Sequence, residues 1–467
     1  MTTRSATIEA ALAWFDAGHF RDELDRRIAI RTESQEPDRG AELHAYIDAE
    51  MIPALEKLGF TTRVIENPFP EYGPFLIAHR HEGDDLPTVF TYGHGDVIRG
   101  YDRQWREGLS PWHIVVDGER WYGRGTADNK GQHSINLAAL TKVLEARGGR
   151  LGCNVKLMIE MGEETGSPGL REIADSLKEE LASDVLIASD GPRLTAEQPT
   201  VFLGSRGIVD FELSVDLREG GHHSGNWGGL LRNPATVLAN AWASLVDAHG
   251  KILVAGLRPP PVPEVVSRAV RHLEVGGGPN DPVVDRDWGE PGLSPAERVF
   301  GWNALEILAM KSGNPDNPVN AIPPNARMHC QLRFVVGTDY RNAGKHLRAH
   351  LDAAGFAHVR ADVRRDSPAT RLLPDHPWVE WTVASIAQTT GKHVVVLPNL
   401  GGTLPNDVFA DVLGLPTVWI PHSYPGCSQH APNEHLLAPV AREALAVMTG
   451  VWWDLGERRD GVPAVPR

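Results

Sequence analysis

Cysteine is scarce in this chain: Cys153, Cys330 and Cys427 are the three thiols in 467 residues. They stand far apart in no paired spacing, which excludes a disulfide framework and a thiolate metal centre and leaves buried free thiols as the reading. Basic charge is also in short supply, with 46 Lys and Arg against 61 Asp and Glu and a formal net charge of -15. A nucleic-acid or anionic-membrane surface needs clustered cations, so neither partner is expected and a small molecule or peptide fits better. No apolar run is long enough to span a bilayer, and the opening Met1-Thr2-Thr3-Arg4 has no apolar leader core; a cytoplasmic protein is the expectation. Repeats of fixed period and low-complexity tracts are missing too.

What the chain does have is length enough for at least two domains, each with its own core. From residue 8 to about 58 the apolar residues recur at helical spacing. Short buried-strand runs follow at Thr88–Tyr92, Val155–Ile159 and Val185–Ala188, with a helical stretch from Ser134 to Ala146 between the first two. That order predicts an α/β domain with a mostly parallel sheet. After Gly207 the texture changes. Ile208–Val215 and His329–Val335 alternate apolar with polar residues, as half-solvated strands do, and Ala343–Ala354 reads as a helix. A second, inserted α+β domain is therefore expected over 207–366, with a Pro- and Gly-rich surface excursion from Pro259 to Gly292. The first domain, begun over 1–206, resumes over 367–467 with strands at Val394–Leu397 and Thr417–Ile420 and a closing helix at Leu437–Leu455.

Five clusters carry chemistry. In Tyr92-Gly93-His94-Gly95-Asp96, at the end of a predicted strand, His94 is a candidate ligand and Asp96 a partner for its second ring nitrogen; a hydrogen-bonded loop pair is the other reading of such a triplet. The glycine-punctuated loop Trp121–Gly131 centres on Asp128 and fits neither a phosphate-binding loop nor a dinucleotide fingerprint. Glu163 and Glu164 follow a buried strand. Beside a cation, such a pair can divide the work, one carboxylate binding the metal while its neighbour takes a proton from water; away from one, it is a solvated helix start. Asp190 ends another strand, and Ser428–His435 closes the series. Together they supply the mixed nitrogen and oxygen donors expected of a zinc or cobalt pair.

With these five clusters in this order, the chain resembles the M20 metallopeptidases, the group of aminoacylases, carboxypeptidase G-type enzymes and carnosinase-type dipeptidases, over nearly all its residues. The resemblance implies two divalent ions per subunit, zinc with cobalt or manganese as alternatives. His94, Asp128 and Asp190 would hold one; Asp128, Glu164 and His435 would hold the other. It also implies a cis peptide after Asp128, Glu163 as general base and Asp96 behind His94. The inserted domain resembles the family's lid and dimerisation domain. There His223, in Gly221-His222-His223-Ser224-Gly225, would stabilise an oxyanion in the partner subunit of a homodimer. Asn320, Arg333 and the loop Gly401-Gly402-Thr403 would contact substrate, Arg333 through a carboxylate. The spelling of the Glu-pair, His-Ser-Gly and Asn-Glu-His segments is most similar to the carnosinase-type branch. The implied activity is therefore cleavage of a dipeptide or similar peptide-like amide; the alternatives are an N-acyl or N-carbamoyl amino-acid amidohydrolase and a catalytically inactive metal-binding homologue.

Overall fold

The computed structural model describes residues 2–276, 282–457 and 462–463. The chain divides into two compact units: Met1–Leu203, Leu372–Leu397 and Pro405–Arg467 form the first, Gly204–Arg371 and Pro398–Leu404 the second. The sequence placed the boundaries near 206 and 366 and did not foresee residues 398–404 in the second unit. That segment is drawn there by a β-bridge between Ser205 and Leu400 and by Arg206 Nε donating to the Gly401 carbonyl at 3.0 Å.

The first unit is built on an eight-stranded sheet. In chain order its strands are β1 (Thr61–Ile65), β2 (Phe75–Arg80), β3 (Thr88–His94), β4 (Asn154–Glu160), β5 (Val185–Ala188), β6 (Thr200–Phe202), β7 (Val395–Leu397) and β8 (Thr417–Trp419). They lie side by side as β1-β2-β4-β3-β5-β8-β6-β7. The four pairs β4/β3, β3/β5, β5/β8 and β6/β7 are parallel, whereas β1/β2, β2/β4 and β8/β6 are antiparallel. The parallel centre is the part the sequence predicted, because strands covered on both faces read as continuous apolar runs. The β1–β2 hairpin went unread: β1 is half exposed and lacks such a run.

Helices cover the sheet. The Lys130–Ala146 helix is buried along most of its length and packs against the closing Ala438–Glu457 helix, which in turn meets the first helix, Arg4–Asp16. Trp452, Leu445, Leu140 and Ile28 are fully buried in this core, and each such side chain contributes roughly 1.5–3 kcal/mol relative to an exposed one. The three cysteines are free and buried, as expected, and among the described residues no helix is long and apolar enough to cross a membrane.

The second unit carries a four-stranded antiparallel sheet in the order Ala304–Lys311, Asn325–Phe334, Gly207–Asp216, Arg360–Ser367. Asn325–Phe334 alternates exposed and buried residues. Its inner face, with Met328, Cys330, Leu332 and Phe334, joins Phe211 and Leu213 and the helices Pro234–Leu245 and Ala343–Ala353 in one core. Both edge strands were missed from the sequence because they lie largely in solvent. The expected surface excursion contains a helix, Glu264–Val270, whose Val266 and Val270 are buried; residues 277–281 of it lie outside the described residues.

Candidate metal centre

The parallel neighbours β4, β3 and β5 open their carboxyl ends on one edge of the sheet, where ligands of α/β proteins gather. His94 is the last residue of β3, the Glu163–Thr165 turn follows β4, and Asp190 follows β5. Asp128 arrives from a loop that runs straight into the Lys130–Ala146 helix. Gly131 makes that junction possible, since a Cβ there would stand 1.9 Å from the Thr126 carbonyl oxygen. The Asp128–Asn129 peptide is cis.

Two groups of ligand atoms result, each within 4.8 Å across: His94, Asp128 and Asp190, and Asp128, Glu164 and His430. Asp128 turns Oδ1 to His94 Nε2 at 3.2 Å and Oδ2 to His430 Nε2 at 3.0 Å, the posture of a bridging carboxylate. Glu164 Oε2 lies 3.0 Å from the same His430 nitrogen, and Asp190 Oδ2 is 3.8 Å from His94 Nε2. Glu163 Oε2 stands 4.0 Å from His94 Nε2, beside the first group without belonging to it.

Asp96 does more than its spacing announced. His94 Nδ1 lies 3.0 Å from the Asp96 carbonyl oxygen and 3.3 Å from its Oδ1, which fixes the ring and leaves Nε2 to face the acids. The two Asp96 carboxylate oxygens accept the backbone N–H groups of Glu163 and Glu164, each at 3.1 Å. One side chain thus orients the histidine and holds the glutamate pair.

His435 does not reach this centre. It begins the strand His435–Leu437, which pairs with Arg120–Tyr122. There its Nε2 meets the Tyr424 hydroxyl at 2.7 Å and its Nδ1 the Asn433 carbonyl at 2.9 Å. His430, five residues earlier in the same motif, occupies the place expected of it. The signal was present: His435 leads into the apolar Leu436-Leu437 of a strand, whereas His430 sits between turn formers that can present a side chain from a loop.

The electrostatics call for cations. Burial lifts the Asp190 carboxyl to about 6, His94 opposing and Asp128 adding to the rise. Burial and the Asp128 charge take Glu164 to about 7. Burial also raises Glu163 well above its ordinary value, with His94 pulling it down and Asp190, Glu164 and Asp128 pushing it up. Hydrogen bonds to Asp128 and Glu164 hold His430 up at about 11. Asp190 Oδ2, buried, has no hydrogen-bond partner. Crowded carboxylates, two imidazoles turned toward them and an orphaned oxygen are a donor set that fits divalent metal.

In the second unit, His223 is exposed and its Nδ1 accepts from Gly225 N at 3.2 Å. Its strand partner is Ala321, and Ser224 N donates to the Asn320 carbonyl at 2.9 Å, so His223 and Asn320 are neighbours. Arg333 Nη1 donates to Thr403 Oγ1 at 2.6 Å, which brings the lid-strand arginine to the Gly401–Thr403 loop. Burial and the Arg333 charge push Arg206 down to about 10, so added negative charge is welcome there. Trp105 and Trp112 are buried, whereas Trp227 is exposed.

The family model for peptidase family M20/M25/M40 matches residues 90–454. A cysteinylglycine-S-conjugate dipeptidase of Corynebacterium striatum is 25% identical over 397 residues, covering 82% of this chain and 83% of that protein. The human Beta-Ala-His dipeptidase is 26% identical over 437 residues, covering 89% and 82%. Among solved structures, human carnosine dipeptidase 1 superposes with a TM-score of 0.76 at 21% identity, over 96% of this chain and 99% of that one.

Proposed function

Because the chain belongs to peptidase family M20/M25/M40, we propose that it hydrolyses the amide bond of a dipeptide with two divalent ions, zinc being the natural occupant of this donor set, cobalt or manganese the alternatives. The observation that carries the reading is the pair of ligand groups sharing Asp128, with Glu163 alongside. His94, Asp128 and Asp190 would hold one ion, and Asp128, Glu164 and His430 the other. The ions would supply Lewis-acid polarisation of the carbonyl and acidify the attacking water.

The protein's own groups do the rest. Glu163, beside the first ligand group with its Oε2 4.0 Å from His94 Nε2, takes the proton of the attacking water and returns it to the leaving amine. Asp96 keeps Glu163 in position through its backbone N–H. His223 accepts from Gly225 N on Nδ1, which places the ring proton on Nε2 and makes that nitrogen a donor for an oxyanion. Arg333, tied to Thr403, is suited to a substrate carboxylate.

A homodimer in which His223 serves the partner subunit is part of this proposal. The outer strand Ala304–Lys311 supports it, because Ile307, Leu308 and Met310 are 38%, 61% and 47% exposed on an open sheet edge, a surface that invites a second chain. The free thiols are in keeping with a cytoplasmic location. Dipeptides are favoured because the relatives of both kinds are named for dipeptide hydrolysis.

The test is metal-dependent turnover over a panel of dipeptides, N-acyl amino acids and N-carbamoyl amino acids. Dipeptide hydrolysis that is lost on chelation and regained with zinc, cobalt or manganese is the expected result. Turnover confined to the acylated or carbamoylated substrates overturns the substrate, and no turnover with any metal overturns the activity. Mixing a His223→Ala variant with a Glu163→Gln variant should recover part of the activity through heterodimers; a mixture as inactive as its parts removes His223 from the partner's site.

A further inference from the structure

Two buried groups that the reaction does not use lie directly behind the bridging aspartate. Glu434 is fully buried and Arg124 is 1% exposed, and Arg124 Nη1 donates to Glu434 Oε2 at 2.6 Å. The same carboxylate accepts the backbone N–H groups of Gly125 at 3.1 Å and of Ala127 and Asp128 at 3.0 Å each. Arg124 in turn donates Nη2 to the Ala431 carbonyl at 3.0 Å. The connection is crossed: the loop that carries His430 holds the backbone of Asp128 through Glu434, and the loop that carries Asp128 holds the residue after His430 through Arg124.

The loop held in this way is conformationally costly. Ser428, His430 and Asn433, none of them glycine, have φ of 58°, 57° and 64°, a region where a Cβ meets the backbone. Such residues persist where surrounding contacts over-determine them. The His430 side chain is 58% exposed, so packing does little to fix it.

We propose that Arg124 and Glu434 are positioning residues for the second cation: their buried ion pair sets the distance between Asp128 and His430 and thereby the affinity of the Asp128–Glu164–His430 group. The inference rests on the two-cation reading above. In Glu434→Gln, Arg124 is left buried without its counter-charge, and the new amide NH2 sets a donor against either Arg124 or the N–H groups of the Asp128 loop that now meet Oε1, while His94 at the end of β3 and Asp190 just past β5 keep their own contacts.

A comparable pair supplies the control. Arg4 Nε donates to Asp454 Oδ1 at 2.9 Å, both residues are buried, and the bond ties the first helix to the last without touching the backbone of a ligand. Glu434→Gln, Arg124→Lys and Asp454→Asn would be compared as metal-free full-length proteins titrated with cobalt(II), followed by its visible absorption and by calorimetry, beside thermal unfolding. Wild type is expected to take up two ions. Glu434→Gln should fill one site with wild-type affinity and the other at least about tenfold more weakly. Arg124→Lys, which keeps the charge and the fold but loses the fork, should show the same selectivity to a smaller degree. Asp454→Asn should lower the unfolding temperature and leave both affinities in place. Two wild-type affinities in Glu434→Gln and Arg124→Lys, or equal weakening of both sites, would overturn the proposal. Uptake of a single ion by wild type would instead sink the two-cation reading on which it stands.

Discussion

The two ligand groups share Asp128 and differ in how the remaining ligands are held. His94 ends β3 and Asp190 lies two residues past its parallel neighbour β5, both buried, so the sheet beneath them sets their spacing. Glu164 and His430 come from turns, and His430 stands in a left-handed conformation with an exposed side chain. Position along the sheet defines the first group; a buried ion pair and a set of loop hydrogen bonds define the second. The first should therefore be as robust as the fold, and the second should fail separately from it.

The largest effect expected is on chemistry alone. If Glu163 is the proton acceptor proposed above, Glu163→Gln removes it and leaves every ligand of both groups, so turnover should fall by about 100- to 10,000-fold while metal uptake stays at the wild-type stoichiometry. A simultaneous loss of metal would place Glu163 inside the first group and erase the distinction between ligand and base. Next comes His430→Ala, which should weaken one ion by about 100-fold or more, since even removal of a ligand's outer partner costs 10- to 100-fold. Chelator competition should find the other ion unaffected. Equal loss of both would mean that the groups behave as one.

The contrast also explains what could be read from the sequence. β3, β4 and β5 are buried runs with turn residues after them, so His94, Asp190 and the glutamate pair announced themselves by position. The β1–β2 hairpin and the two lid edge strands carry no such pattern, because solvent covers them and their pairing depends on distant segments. The second group was harder for the same reason. Loop geometry at 428–434 is decided by Glu434 reaching residues more than three hundred positions away, and no local periodicity records that. Arg124 and Glu434 stand inside motifs already singled out, but nothing in the sequence marks them as a pair; the structure shows both buried and bonded to each other.

A smaller effect separates the floor of the first group from its ligands. His422 is buried, with Nε2 3.3 Å from Asn136 Oδ1 and 2.8 Å from the Oγ of Ser189, the residue just before Asp190. Burial and the Arg193 charge lower its pKa from 6.5 to about 3. An unfolded chain binds the proton below about 6.5 and the folded one does not until about 3, so the folded state loses stability as pH falls through that window. The loss should reach a few kcal/mol by the lower end. His422→Asn should flatten that acid limb in denaturant titrations run from pH 7 to pH 4. An unchanged limb would show that the floor under Asp190 does not depend on a neutral imidazole.

The smallest expected effect is the most diagnostic for the second group. His435 occupies a strand position, its ring tilted 44° to that of Tyr122 with centroids 4.9 Å apart and bonded to the Tyr424 hydroxyl, with burial holding its pKa below the ordinary value. His435→Ala removes packing and one hydrogen bond, a cost of about 1–3 kcal/mol in stability, and leaves both cation affinities and the turnover per folded molecule near wild type. His430→Ala should do the opposite to binding, weakening one cation and lowering turnover, and in the metal-free protein it also leaves Asp128 and Glu164 without the imidazole that bonds both. If the two variants exchange these outcomes, the strand that holds His435 must open when metal binds, and the loop carrying His430 is then not where the second ion is held.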